Sequence, residues 1–173
     1  MLAQTLEQAL RWWRLGIFAM GASCASESHR ESTEEVPTDW IRHDTACRMS
    51  FLCPDTLEER HVQGTDSCVL EFTGEHCNVS GGRGGYSSGL SVDAVGASEA
   101  YERQPTAVDD RDATVVLATT LDSERPFFAG IHVPLGTSAI GALSAELYVA
   151  CDSVDARAAV VPMLRTLEIS DWE

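Results

Sequence analysis

Residues 114–150, TVVLATTLDSERPFFAGIHVPLGTSAIGALSAELYVA, decide the fold. Three runs within them, Thr114 to Thr120, Phe127 to Val133 and Leu143 to Ala150, are rich in β-branched, aromatic and aliphatic residues. Such runs bounded by turn formers read as strands. Leu121 to Pro126 joins the first two and Pro134 to Ala142 joins the next two. Connections of that length suit antiparallel neighbours, whereas a parallel crossover takes a dozen or more residues.

Upstream, Arg48 to Leu52 alternates and stops at Cys53-Pro54, and Leu57 to Val62 is a weaker strand that ends in the turn Gln63 to Ser67. Cys68 to Phe72 and His76 to Val79 flank Thr73-Gly74-Glu75 and read as a hairpin. Ser80 to Gly89 is glycine-rich and reads as a surface loop, and residues 93–112 read as acidic turns. Downstream the period changes. Asp152 and Ser153 are good N-cap residues, and Val154, Ala158, Val161 and Leu164 recur near helical spacing. Pro162 falls inside that pattern and is expected to kink or split the helix, because proline has no N–H for the ladder. The expectation is an α+β domain over residues 40–173: an antiparallel sheet of about six strands with a C-terminal helix packed on one face.

The chain has 173 residues, 44% of them hydrophobic, with 27 acidic and 12 basic residues and a net charge of −15. All the basic residues are arginine. That balance argues against nucleic-acid binding, which needs cations to displace counterions from phosphates. It argues equally against a polybasic patch on anionic lipid.

The N-terminus reads as an address. Arg11 and Arg14 precede the uncharged Leu15 to Ser23 (LGIFAMGAS), and the sequence after Cys24 turns polar and acid-rich. A positive segment, a short apolar core and a small-residue exit are the layout of an export signal. Gly21-Ala22-Ser23-Cys24 resembles a bacterial lipobox, with Gly21 where Leu is usual. The resemblance implies that residues 1–23 are a signal peptide, that Cys24 carries lipid, and that residues 24–39 are a flexible tether. The membrane is then reached through the lipid anchor, and Ala25 after the cysteine leans towards the outer membrane. The other readings of the segment are ordinary secretion or an amphipathic N-terminal helix.

Lipid on Cys24 leaves five cysteines: Cys47, Cys53, Cys68, Cys77 and Cys151. No CxxC pair suggests structural zinc. Cys68 and Cys77 flank the hairpin turn and are the candidate disulfide, with two packed thiols as the equal alternative. Cys47 and Cys53 bracket a second short segment in the same way.

Several stretches taken together, Phe51 to Pro54, Val62 to Phe72, Gly85 to Ser88, Ala113 to Val116, Pro126 to His132 and Asp155 to Ile169, resemble uncharacterised exported bacterial lipoproteins with a PsbP-like α/β/α domain. The likeness spans roughly residues 40–170 and implies the layout; none of its motifs is catalytic. Relatives tend to carry an aromatic-acid pair in the glycine loop, where this chain has Gly81-Gly82-Arg83-Gly84-Gly85.

Motifs for chemistry are weak. Gly64-Thr65-Asp66-Ser67 lacks the Gly-Asp-Ser order of serine esterases and the later Asp-x-x-His, and reads as a capped turn. The glycine loop lacks a P-loop lysine. Asp109, Asp110 and Asp112 lack EF-hand spacing, and His61, His76 and His132 are scattered. Arg83 and Tyr86, at the tip of the glycine loop in this reading, are the candidate contact residues, since both types are enriched at binding hot spots. The expectation is a non-enzymatic envelope lipoprotein without cofactor or metal that engages an envelope protein or polymer. The alternative is a small-ligand or metal-binding domain or a disguised hydrolase.

Overall fold

A computed structural model describes residues 36–60, 62, 64, 67–85, 88–120, 124–139 and 141–171, with backbone alone at 97–99. The signal peptide, Cys24 and most of the tether lie outside the described residues, as do His61, Asp66 and Tyr86.

Among the described residues two antiparallel sheets form. β1 (Ile41–Asp44), β2 (Met49–Cys53) and the short β10 (Glu168–Ile169) make a small sheet with β2 in the middle. The large sheet contains β3 (Glu58–Arg60), β4 (Cys68–Thr73), β5 (Cys77–Gly84), β6 (Ala97–Val108), β7 (Arg111–Thr120), β8 (Phe127–Ser138) and β9 (Gly141–Cys151). Its order is β3-β4-β5-β9-β8-β7-β6, and a one-turn helix, α1 (Val92–Val95), precedes β6. The three strands of residues 114–150 stand together as neighbours, β7 on β8 and β8 on β9. The expected sheet of about six strands becomes seven plus a second sheet.

Two segments differ from their sequence reading. Residues 80–84 are strand, the second half of β5, lying between β4 and β9. Glycines suggested a loop, yet every residue from Ser80 to Gly84 has a register partner on β9. Residues 97–108 form the edge strand β6 rather than turns. One side of β6 is unpaired and many of its side chains face solvent, so polar residues and Pro105 are tolerated there and the alternation is erased. The acidic turn is confined to Asp109 and Asp110, both with positive φ (51° and 59°), which turns β6 directly into β7. Asp tolerates that backbone better than most residues.

The C-terminal helix splits at Pro162 as its chemistry requires. α2 (Val154–Val160) starts from Ser153, whose hydroxyl accepts from the Ala156 amide at 3.2 Å. α3 (Pro162–Arg165) restarts with proline in its first turn. Val160, Met163, Leu164 and Leu167 are buried in the main core with Ala145, Leu147, Val149, Ala129, Ile131 and Val133 from β9 and β8. Those strand residues alternate, so Ser144, Glu146 and Tyr148 face the opposite side. At the small sheet, Phe51 and Phe72 meet edge to face at 5.5 Å between centroids, with His43 against Phe72 at 5.0 Å.

The far side of the large sheet is partly covered. Leu90, in a left-handed backbone conformation (φ 49°), joins Val116, Ala118 and Phe128 in a second buried cluster. A methyl group at Gly130 would lie 2.7 Å from Leu90 Cδ1, so β8 makes room for this plug by having no side chain. The Tyr101 hydroxyl holds it, donating to the Leu90 carbonyl at 2.7 Å.

The expected Cys68–Cys77 bridge does not form. Both cysteines are oxidised with other partners: Cys47 with Cys68 (Cα–Cα 5.2 Å) and Cys77 with Cys151 (4.2 Å). Cys68 begins β4 and stands opposite Arg83, whereas Cys77 begins β5 and lies level with Gly74. In an antiparallel hairpin the two strand starts are at opposite ends, here about 20 Å apart for six residues of strand. Cys77 and Cys151 face each other in the narrow pair of β5 and β9, flanked by the Asp152 amide donating to the His76 carbonyl. The other bracketed pair also fails: Cys53 is a buried free thiol whose pKa burial pushes up to about 11.

Loop-closure entropy makes the longer bridge the stronger staple. Cys47–Cys68 spans 21 residues and Cys77–Cys151 spans 74. The chain-entropy relation assigns them about 3 and about 4.5 kcal/mol. Urea melts of the Cys47→Ser/Cys68→Ser and Cys77→Ser/Cys151→Ser variants are expected to show losses in that order. Equal melts with and without the second bridge would contradict its role.

Candidate functional site

Strand alternation puts Asn78, Ser80, Gly82 and Gly84 of β5 on the sheet face opposite the helices. The last two have no side chains, so a trough runs over the end of β5 between β4 and β9. It encloses about 170 Å³, with Gly82 and Gly84 below, Ser67 and Val69 on one side, and Ser144, Glu146 and Tyr148 on the other.

The glycines are dictated by backbone proximity. A Cβ at Gly82 would lie 2.5 Å from the Cys68 carbonyl oxygen on β4, and one at Gly81 would overlap the Glu146 carbonyl oxygen on β9. Side chains at either position would push the neighbouring strands away.

The β9 wall is polar and largely shielded from water. The Glu146 carboxylate, with 12% of its side chain exposed, lies 3.1 Å from His132 Nδ1 across the β8–β9 register. The Ser88 hydroxyl donates to its other oxygen at 3.5 Å and accepts from the Leu90 amide at 3.1 Å, tying the covering segment to the wall. Tyr148 stacks on Phe128 with centroids 5.6 Å apart. Burial raises the Tyr148 phenol above its usual pKa, and the neighbouring Glu146 charge adds to that. Ser144 is only 5% exposed and its hydroxyl has no hydrogen-bond partner. Buried polar groups are nearly always satisfied, so an orphaned hydroxyl in a concave wall calls for a partner.

In this cluster the carboxylate bridges the hydroxyl and the imidazole. Nucleophilic hydrolysis requires the imidazole between hydroxyl and acid, so that its nitrogen takes the proton. Ser88–Glu146–His132 therefore positions a carboxylate and does not activate the serine.

The candidate contact residues fare differently. Arg83 is no loop tip: it is 7% exposed and turned towards the helix side, where Nη1 donates to the Ser170 carbonyl. Burial lowers its pKa from the ordinary guanidinium value. Tyr86 lies outside the described residues. Asp109 is structural, since its carboxylate accepts from the Ile169 amide at 3.1 Å and fixes β10. Among the described residues no three His, Cys, Asp or Glu side chains gather as a metal site. His132 lies within a strand, as expected, while the roles of Glu146, Ser144 and Tyr148 escaped the sequence reading.

A larger groove of about 410 Å³ separates α2 from the β2–β3 and β4–β5 turns, lined by Leu57, Ala156, Ala159 and Val160 among others. Its polar lining includes Thr56, Glu75 and His76, and the His76 Nδ1 lies 2.9 Å from Asp152 in an exposed pair. The trough is the better site because its polar groups are buried.

Compared with protein-family models and with curated proteins, the chain matches none. The geometry therefore carries the functional reading.

Two tests follow. Gly82→Ala is expected to cost about 1–3 kcal/mol in a urea melt, the usual price of overpacking. A neutral result would deny the close approach of β4 and β5. At the groove, the hydrogen bond to Asp152 raises the His76 pKa, and the same bond lowers that of Asp152. The imidazole's share of the stabilisation is complete below its unfolded pKa of about 6.5 and vanishes as pH rises through the raised folded value. The carboxylate's share is present above about 3.9 and vanishes as pH falls through the lowered folded value. In Asp152→Asn the NMR titration midpoint of His76 is expected to fall; an unchanged midpoint would deny the pair.

Proposed function

We propose that this chain is an exported bacterial binding module with a PsbP-like layout, held at the cell envelope by lipid on Cys24. The two disulfides carry the reading, since such bonds persist in oxidising compartments outside the cytosol. The apolar run before Cys24 and the acid-rich tether after it support it from the sequence. Acyl chains on Cys24 would anchor the domain by burial worth about 0.8 kcal/mol per CH₂. Residues 24–39 would give it reach from the membrane.

The trough favours a small-ligand role over the metal-binding and hydrolytic ones. Its buried polar wall meets a concave glycine floor, the combination that orients small molecules. An envelope protein or polymer remains the partner to which such a site would belong.

Full-length protein and Cys24→Ser are to be expressed in a bacterial host, fractionated and weighed intact. Wild type is expected with membranes, cleaved before Cys24 and carrying lipid mass there, with the variant unlipidated. Both proteins soluble with residues 1–23 attached would overturn the anchor and export together.

A further inference from the structure

We infer that the trough over β5 receives a six-membered ring bearing neighbouring hydroxyls, as a free sugar or cyclitol or as the terminal sugar of a polymer. This rests on the reading of the domain as a binding module. Size sets the first limit: an apolar cavity of about 150 Å³ holds one benzene ring, and the trough encloses about 170 Å³. A single ring fits inside, and the hydroxyls on its outer edge reach through the open side.

Shape sets the second. Gly82 and Gly84 put no side chain into the opening, so peptide groups of β5 form a floor on which the face of a ring can rest.

Chemistry sets the third. Ser144 presents a buried hydroxyl that has neither donor nor acceptor. A ligand hydroxyl can supply both, whereas an ammonium group supplies only donors. Ser67, Ser144 and Tyr148, all hydroxyl-bearing, line the same space, and Glu146 adds a carboxylate acceptor braced by His132. Among the described residues Arg83 is the cationic residue that lines the trough, and its Nη1 donates to the Ser170 carbonyl on the helix side. An anionic ligand would meet the Glu146 carboxylate, and a wholly apolar one would leave Ser144 orphaned.

The full chain is to be titrated with glucose, myo-inositol and methyl α-glucoside, with propylammonium as the cationic comparison, while backbone amide shifts are followed by NMR. Saturable shifts at Gly82, Gly84, Ser144 and Tyr148 with the polyols are expected. Ser144→Ala loses only an unpartnered hydroxyl, so it is expected to fold as wild type and to bind about fivefold or more weakly, the loss of one hydrogen bond. Tyr148→Phe gives a second, independent reading of the same wall. Methyl α-glucoside binding as well as glucose would support a polymer terminus, and much weaker binding would support a free sugar. Shifts at these amides with propylammonium alone would overturn the ligand class and leave the binding module standing. No shift there with any probe would overturn both. Wild-type affinity in Ser144→Ala and Tyr148→Phe would overturn the assignment of the wall.

Discussion

The backbone of β5 passes so close to β4 and β9 that side chains are excluded at Gly81 and Gly82, and the rest of the domain is arranged around that approach. Through β5 the β3–β4 hairpin joins the four-strand meander of β9, β8, β7 and β6 in one sheet. The same absence of side chains opens the trough on one face. On the other face it leaves Arg83 as the long side chain of this stretch, and Arg83 reaches across to the C-terminal segment. Glycine in a strand interior ordinarily weakens it, but here close contact between backbones requires it.

A second set of interactions closes the ends. Arg48 and Arg83 donate to the carbonyls of Asp171 and Ser170, and Arg111 pairs with the Asp171 carboxylate at 3.1 Å. Asp109 holds the Ile169 amide from the β6–β7 turn. Three of the twelve cations in a strongly acidic chain are thus spent on fastening residues 169–171, which leaves the large sheet's outer face without them. The two disulfides act at separate places. Cys47–Cys68 ties the small sheet to β4, and Cys77–Cys151 locks β5 to β9 at the end away from the trough.

The trough differs from the apolar groove beside α2 in what it conceals. The groove offers area rimmed by an exposed ion pair, and exposed pairs contribute little. The trough buries a carboxylate, a phenol and an orphaned serine hydroxyl. Such groups are costly to keep from water unless something meets them.

Local physics made part of this protein legible in its amino acids. Alternation and β-branching over residues 114–150 marked β7, β8 and β9, Ser153 was among the residues marked as a cap, and Pro162 marked the break between α2 and α3. Each of these depends on neighbours within a few residues. Where one strand lies against another is a different kind of fact. Cys68 and Cys77 looked like partners because they are near in sequence, yet register placed them at opposite ends of a hairpin. Residues 80–84 looked like a loop because glycine avoids strands, until two neighbouring backbones demanded it. Residues 97–108 looked like turns because an edge strand loses its alternation to solvent. Ser144, Glu146 and Tyr148 drew no functional reading within the strand Leu143 to Ala150. Only pairing of β9 with a strand that ends in glycine turned them into the wall of a site, because the space they face belongs to residues some sixty positions away in the chain.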